Sequence, residues 1–258
     1  VTINRCCGVR PVYHRREVEG SVEAAEAERL IVYIDGFNLY HGLHDAAGNR
    51  LLWLDIVKLA TTLRPRSALV QVTYFTAIVL NEPDAQARQD RYLAALRSLH
   101  PSRLTVIKGQ FQEKSRTCRS CGATWTSYEE KQTHVNIAVH LVADVAANRA
   151  ESFMLMTADT DIIPAVKMAW GANPNAHIFA HFPPHRGSDA MRRLMPASRR
   201  TTLARVEKCL LPAVVKSQDG ATFRRPEKWD PLPASDVVAP PAAAGEHVCS
   251  SPPRQPGS

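Results

Sequence analysis

Leu30–Ile34 (L-I-V-Y-I) is apolar at every position, and an acid, Asp35, follows it at once. A strand with one wet face alternates apolar and polar residues. A run without alternation suits a strand covered on both faces. Leu69–Ala77 is rich in β-branched and aromatic residues and reads as a second strand. Leu104–Lys108, Ser152–Thr157 and Ala176–Ala180 read as three more. Helical patterns lie between them. Residues 54–63 put Ile56, Leu59, Ala60 and Leu63 on one stripe, and Pro65 ends it. Residues 83–99 open on proline, favoured at the first helical position, and carry Tyr92, Ala95, Leu96 and Leu99 as a face. Residues 131–148 are apolar almost all round, which predicts a well-buried helix. Further helices are expected from Pro164 to about Trp170 and over about 187–195. Strands separated by helices imply right-handed crossovers, hence an α/β fold with a mainly parallel sheet of about five strands and helices on both faces.

The ends differ from the middle. Residues 231–258 hold seven prolines with many Ala and Ser, a composition that cannot offset its own ordering entropy. Residues 1–28 lack periodicity, apart from a short frayed helix allowed over 21–29. The expected organisation is a disordered tail over 1–28, one folded domain over 29–219 and a Pro/Ala-rich disordered tail over 220–258. No apolar run approaches the ~20 residues of a membrane span, and the N-terminal residues show no signal-peptide core. Of the six cysteines, Cys6 and Cys7 are adjacent, Cys118 and Cys121 form one C-x-x-C, and Cys209 and Cys249 are single. That is no disulfide framework, so a cytoplasmic protein with no membrane partner is expected.

The net charge of +7 is unevenly placed. The segment 29–219 carries +8, since the first 28 residues hold four Arg and five Glu and the last 39 balance. Residues 186–205 contain Arg186, Arg192, Arg193, Arg199, Arg200 and Arg205 against one acid, Asp189. A solvated surface accounts for many charge runs, but a basic face on a folded domain also favours a polyanion such as nucleic acid.

In a parallel sheet the ligand site lies beyond the carboxyl ends of the strands. Asp35-Gly-Phe-Asn38 follows the first strand, and Thr157-Ala-Asp159-Thr-Asp161 follows the fourth. A single acid there is ordinarily a turn or cap residue. Three acids meeting at one edge repel one another unless a cation sits between them, and hard oxygen donors select Mg²⁺ or Mn²⁺.

Taken together, V-Y-I-D-G-F-N-L-Y (32–40), E-E-K-Q-T-H-V-N-I-A-V (129–139) and T-A-D-T-D-I-I-P-A-V (157–166) resemble the NYN domain family, PIN-like ribonucleases. The resemblance extends over about 30–225. It takes in Y-F-T-A (74–77), F-P-P-x-R (182–186) with Ser188-Asp189, and R-R-P-E-K-W (224–229). It implies a Rossmann-like PIN-type three-layer sandwich, an acidic pocket for Mg²⁺ or Mn²⁺, and hydrolysis of RNA phosphodiesters. The metal-binding, catalytic acids would be Asp35, Asp159 and Asp161, with Asn38 beside them. Asn38, Lys131, Arg186, Arg192 and Arg193 are the candidate substrate-binding residues.

One position departs from the family pattern. Where members read E-E-K-x-x-D-V-N, this chain has His134. A histidine there removes a hard oxygen ligand and weakens the site, or binds metal through nitrogen, or changes nothing. Glu129 and Glu130 are expected one helical turn earlier, where they would either compensate for the missing acid, Glu130 lying four residues before His134, or cap the helix start. Cys118 and Cys121 are candidate zinc ligands in a knuckle insertion over 114–128, with His100, Cys209 or a second subunit's pair in a homo-oligomer as candidates to complete four ligands. Phe37, Tyr40 and Trp53 either stack on bases or cover the core. Trp170 and Phe182 are expected to pack, and His41 and His44 are expected in a loop.

The leading expectation is therefore a metal-dependent ribonuclease. The alternative is an RNA-binding module whose chemistry is lost with the acid at 134. A D-x-D nucleotide-sugar transferase is disfavoured by D-G-F-N after the first strand and by the small domain.

Overall fold

The first strand decides the architecture. The computed structural model describes residues 27–79, 82–117 and 121–230. In it, β1 (Arg29–Asp35) is buried at every position after Arg29. Leu30, Val32 and Ile34 enter one apolar cluster, and Ile31 and Tyr33 enter the other. The period of two sends alternate side chains to opposite faces, so a strand needing cover on both must be central.

It is flanked by β2 (Ala68–Ala77) and β5 (Ser152–Met156), both parallel to it. Outward lie β3 (Leu104–Thr117), β6 (His177–Phe182) and the short β7 (Arg199–Arg200), again in parallel. β4 (Thr124–Lys131) closes one edge antiparallel to β3. The order is β4-β3-β2-β1-β5-β6-β7. One face carries α1 (Gly36–Ala47), α2 (Ile56–Leu63) and α3 (Pro83–Leu99). The other carries α4 (Thr133–Ala146), α5 (Ile163–Ala172) and α6 (Asp189–Leu194). This is the expected α/β three-layer sandwich, with a wider sheet than five strands.

Four expectations need correction. The third strand runs on past Lys108 to Thr117 and pairs with β4, so Cys121 lies at the tip of a hairpin. Glu129 and Glu130 therefore belong to β4, and Gln132 takes the N-cap position of α4. α4 is buried on one face only, through Ile137, Leu141 and Val145, while Val135 and Val139 are 64% and 59% exposed. His41 and His44, expected in a loop, lie in α1.

After α7 (Leu203–Glu207), β8 (Val214–Lys216) pairs with β9 (Thr222–Arg224), and a 3₁₀ turn spans Glu227–Trp229. Residues 220–230 are thus structured, although the expected disordered tail began at 220. Trp229 packs against Trp53 and Tyr92 with ring centroids 6.3 and 5.9 Å away. The disorder expected for 1–26 and 231–258, and Cys6, Cys7, Cys118 and Cys249, lie outside the described residues. Among those described, no helix is long and apolar enough to cross a membrane.

Candidate metal centre at the carboxyl edge of the sheet

Because β1 and β5 are parallel and adjacent, their last residues share an edge. Asp35 ends β1 and caps α1: its Oδ1 accepts from the backbone N–H of Asn38 at 3.0 Å. The same carboxylate accepts at Oδ2 from the Thr157 hydroxyl, also at 3.0 Å. Thr157 Oγ1 in turn accepts from the Asp159 N–H at 3.1 Å. Asp159 Oδ1 accepts from the Asp161 N–H at 2.8 Å, capping a 3₁₀ turn over Thr160–Ile162. Asn38 Oδ1 accepts from the Ala158 N–H at 3.0 Å. Its carbonyl oxygen thus ties α1 to the loop after β5.

His134 arrives from the opposite helix layer. Gln132, between β4 and α4, has φ of +79°, a left-handed conformation costing a non-glycine residue roughly 1–2 kcal/mol. That turn starts α4 immediately after the strand, with Asn136 N–H bonded to Gln132 O at 2.7 Å. His134 in the first turn then reaches the acids. Its Nε2 lies 3.2 Å from Asp159 Oδ2 and 3.6 Å from Asp35 Oδ2, and its Nδ1 lies 3.9 Å from Asp161 Oδ2. Donor atoms of His134, Asp159 and Asp161 fall within 4.8 Å of one another, the one such group among the described residues. The cluster grades from buried to wet: Asp35 is 1% exposed, while the side chains of His134 and Asp161 are 37% and 77% exposed.

The Asp35 carboxylate stabilises the imidazolium, burial partly opposes it, and the charges of Asp159 and Asp161 add to the support. Together they lift the His134 pKa to about 9. The ring is therefore protonated at neutral pH and acts as the countercharge of the cluster. It must give up that proton to offer nitrogen to a metal.

Other expected site residues divide. Arg186 pairs with Asp45, and Arg192 pairs with Asp189 at 2.9 Å while its guanidinium lies 5.3 Å from the Phe182 ring. Arg193 is exposed on the same short helix. Lys131 ends β4. Trp53 is not a surface stacker: it is fully buried and donates its indole N–H to Pro212 O at 2.8 Å. Cys209 is buried in the core, its thiol 3.4 Å from Thr62 Oγ1, whereas Cys121 is exposed. His100 pairs with Asp55 at 2.9 Å. Neither side chain is free to complete a site at the hairpin tip. His41 and His44 belong to α1, not to a loop. Trp170 and Phe182 pack as expected.

Thr157 was missed. Its signal was its place as the first residue after β5, directly before A-D-T-D, where a hydroxyl can link two strand ends.

One curated relative is 30% identical over 179 residues: the 6-hydroxy-3-succinoylpyridine 3-monooxygenase HspA of Pseudomonas putida (strain DSM 28022 / S16). The match covers 56% of this chain and 56% of that protein, so the chain spans little more than half the relative's length. The NYN domain model matches residues 29–193, a span that runs from the first residue of β1 through the acids of both strand ends and His134 to Arg193. With nearly two-thirds of the chain covered and the strand-end acids inside the match, this chain belongs to the NYN domain family.

Proposed function

We propose that the chain is a metal-dependent ribonuclease that hydrolyses RNA phosphodiester bonds. Asp35, Asp159 and Asp161 would hold Mg²⁺ or Mn²⁺, with His134 Nε2 as a further donor. One observation carries the reading: acids from two strand ends and a histidine from the opposite helix layer converge at a single edge. The donor set fits such an ion. Asp35 Oδ1 accepts from the Asn38 N–H and Oδ2 from the Thr157 hydroxyl, each oxygen keeping a further lone pair that His134 or a ligand can meet, and the Asp161 carboxylate is open to solvent.

When bound, the ion supplies an activated water and stabilises charge on the leaving oxygen. The chain's own groups position the rest. Thr157 and Asn38 hold the two strand ends in register across the site. Arg186, Arg192, Arg193 and Lys131 would hold the phosphate backbone. RNA is then the partner and the cytoplasm the expected location. Zinc at Cys118 and Cys121 and a homo-oligomer are further parts of the proposal.

Two observations favour other readings. Protonated His134 sits where family members carry an acid, which favours an RNA-binding module with weakened chemistry. The relative's name describes an oxygenase, and that activity would require a redox-active metal at this donor set or an organic redox cofactor. Cleavage of labelled single-stranded RNA by purified protein with Mg²⁺ or Mn²⁺, and not with a chelator, supports the nuclease. RNA binding without cleavage under any divalent ion supports the binding module. Oxygen-dependent turnover of a pyridine ring without RNA cleavage supports the oxygenase.

A further inference from the structure

We propose that a cleft between α1 and α3 takes one unpaired base of the RNA strand, next to the strand-end acids. The idea rests on RNA as the ligand and names its class: single-stranded or locally unpaired RNA. The cleft has a volume of about 380 Å³, within the ~300–1,000 Å³ usual for small-ligand sites. Seven ring-bearing residues line it: Phe37, Tyr40, His41 and His44 from α1, Tyr74 from β2, Tyr92 from α3, and Trp229 from the C-terminal 3₁₀ turn. Tyr40 is 43% exposed, with its ring stacked on His44 at 5.8 Å and edge-on to His41 at 5.3 Å, so one partly open ring face remains for a ligand.

Three features favour a base over an aliphatic ligand. The walls present planar π surfaces beside Leu39, Leu43, Leu52 and Leu54, and any base can stack on such surfaces. Polar side chains stand beside the rings, among them Asn49, Thr76, Glu82, Arg88 and Lys228, which suits the polar edge of a base. The Gln89 amide is already engaged, donating to Ala77 O at 2.7 Å and Thr76 Oγ1 at 3.3 Å and accepting from the Val79 N–H at 3.0 Å. Stacking would supply most of the binding, while half-buried Arg88 can meet an adjoining phosphate.

The cleft and the acids share one junction. Gly36, the residue after Asp35, lines the cleft. A Cβ there would lie 2.9 Å from the Tyr74 ring and hydroxyl and 2.6 Å from Phe75 O. Tyr74 thus closes directly over the start of the helix that Asp35 caps. Burial and the nearby Asp35 charge both raise the Tyr74 phenol pKa, in keeping with that closeness. Residues 35 and 40 are separated by about 7.5 Å along α1, short enough for one strand to touch both places. A base held in a duplex cannot enter such a cleft without leaving its stack.

The test uses the full chain without added divalent metal, so that it reads binding and not cleavage. Short single-stranded RNAs carry 2-aminopurine at successive positions. Quenching confined to one position is expected. Tyr40→Ala should weaken binding about tenfold or more, the scale of one base–aromatic stack, and Tyr40→Phe should restore it. An abasic nucleotide at the quenched position should cause the same loss, with no added loss from Tyr40→Ala. Uniform quenching, or unaltered affinity of Tyr40→Ala, overturns the cleft while leaving the nuclease reading intact. Binding of the free 2-aminopurine riboside as tight as that of the RNA makes the cleft a small-molecule site and overturns the proposal. Failure of every RNA to bind would overturn it together with the nuclease reading.

Discussion

His134 Nε2 lies 3.2 Å from Asp159 Oδ2 and 3.6 Å from Asp35 Oδ2, so one ring from α4 bridges acids that belong to two strands. The proton on that ring and a metal ion compete for the same carboxylates. Metal binding should therefore release a proton wherever His134 is charged. With the pKa raised to about 9, Mn²⁺ affinity should climb with pH from 6.5 to 9 and level off above. Calorimetric titrations across that range check this. His134→Asp should bind Mg²⁺ more tightly and lose most of the pH slope. Unchanged affinity and slope in that variant would place His134 outside the coordination sphere.

The same proton bears on stability without metal. The folded-state pKa of His134 is above the ordinary value of 6.5. Its contribution is then fully present below pH 6.5 and is lost as pH rises through about 9. The side chain is more than one-third exposed, so screening reduces the effect to about 1 kcal/mol. Urea unfolding of metal-free protein at pH 6 and pH 10 should show that difference, and His134→Ala should remove it.

Two acids of the cluster should respond differently to substitution. Asp35→Ala removes the cap of α1 as well as a donor, costing about 1 kcal/mol from the cap alone. Asp159→Asn keeps an oxygen for the Asp161 N–H, so its melting temperature should stay near wild type. Both should abolish metal-dependent RNA cleavage. Wild-type cleavage by Asp159→Asn would remove the cluster from the chemistry.

The arginines of α6 should set the salt dependence of RNA binding. Each phosphate contact on a single strand contributes a slope of about −0.7. Neutralising Arg192 and Arg193 together should flatten the slope by roughly one unit and leave folding nearly unchanged, since both are exposed. Arg193 should account for more of the change, because Arg192 already faces Asp189. A double variant with the wild-type slope would take this helix out of the RNA path.

The sheet was legible because its central strands are buried on both faces and so carry unbroken apolar runs. Asp35, Asp159 and Asp161 could be placed from strand ends alone. β4 was not legible: T-W-T-S-Y-E-E-K has no continuous apolar run, and its pairing depends on the extension of β3. That hid the true setting of Glu129 and Glu130. α1 was obscured because D-G-F-N reads as a turn, although Leu39 and Leu43 are its buried stripe. The apolar pattern of α4 overstated burial, since only one side of that helix meets the sheet, and Val135 and Val139 face outward. Whether Trp53 stacks on bases or covers the core was open in the sequence, because the distant Pro212 supplies its hydrogen-bond partner, a contact that only the folded chain creates.

The two oxygens of Asp35 have separate tasks. With Oδ1 held by the Asn38 N–H and Oδ2 by the Thr157 hydroxyl, the carboxylate cannot swivel without breaking a contact on one side or the other. Its rotational freedom is surrendered when the helix and the strands form, and not when a ligand arrives. A carboxylate on a flexible loop would lose that entropy in each binding event. Here orientation is settled once, during folding, and any variant that loosens the start of α1 should also blur the aim of Oδ2.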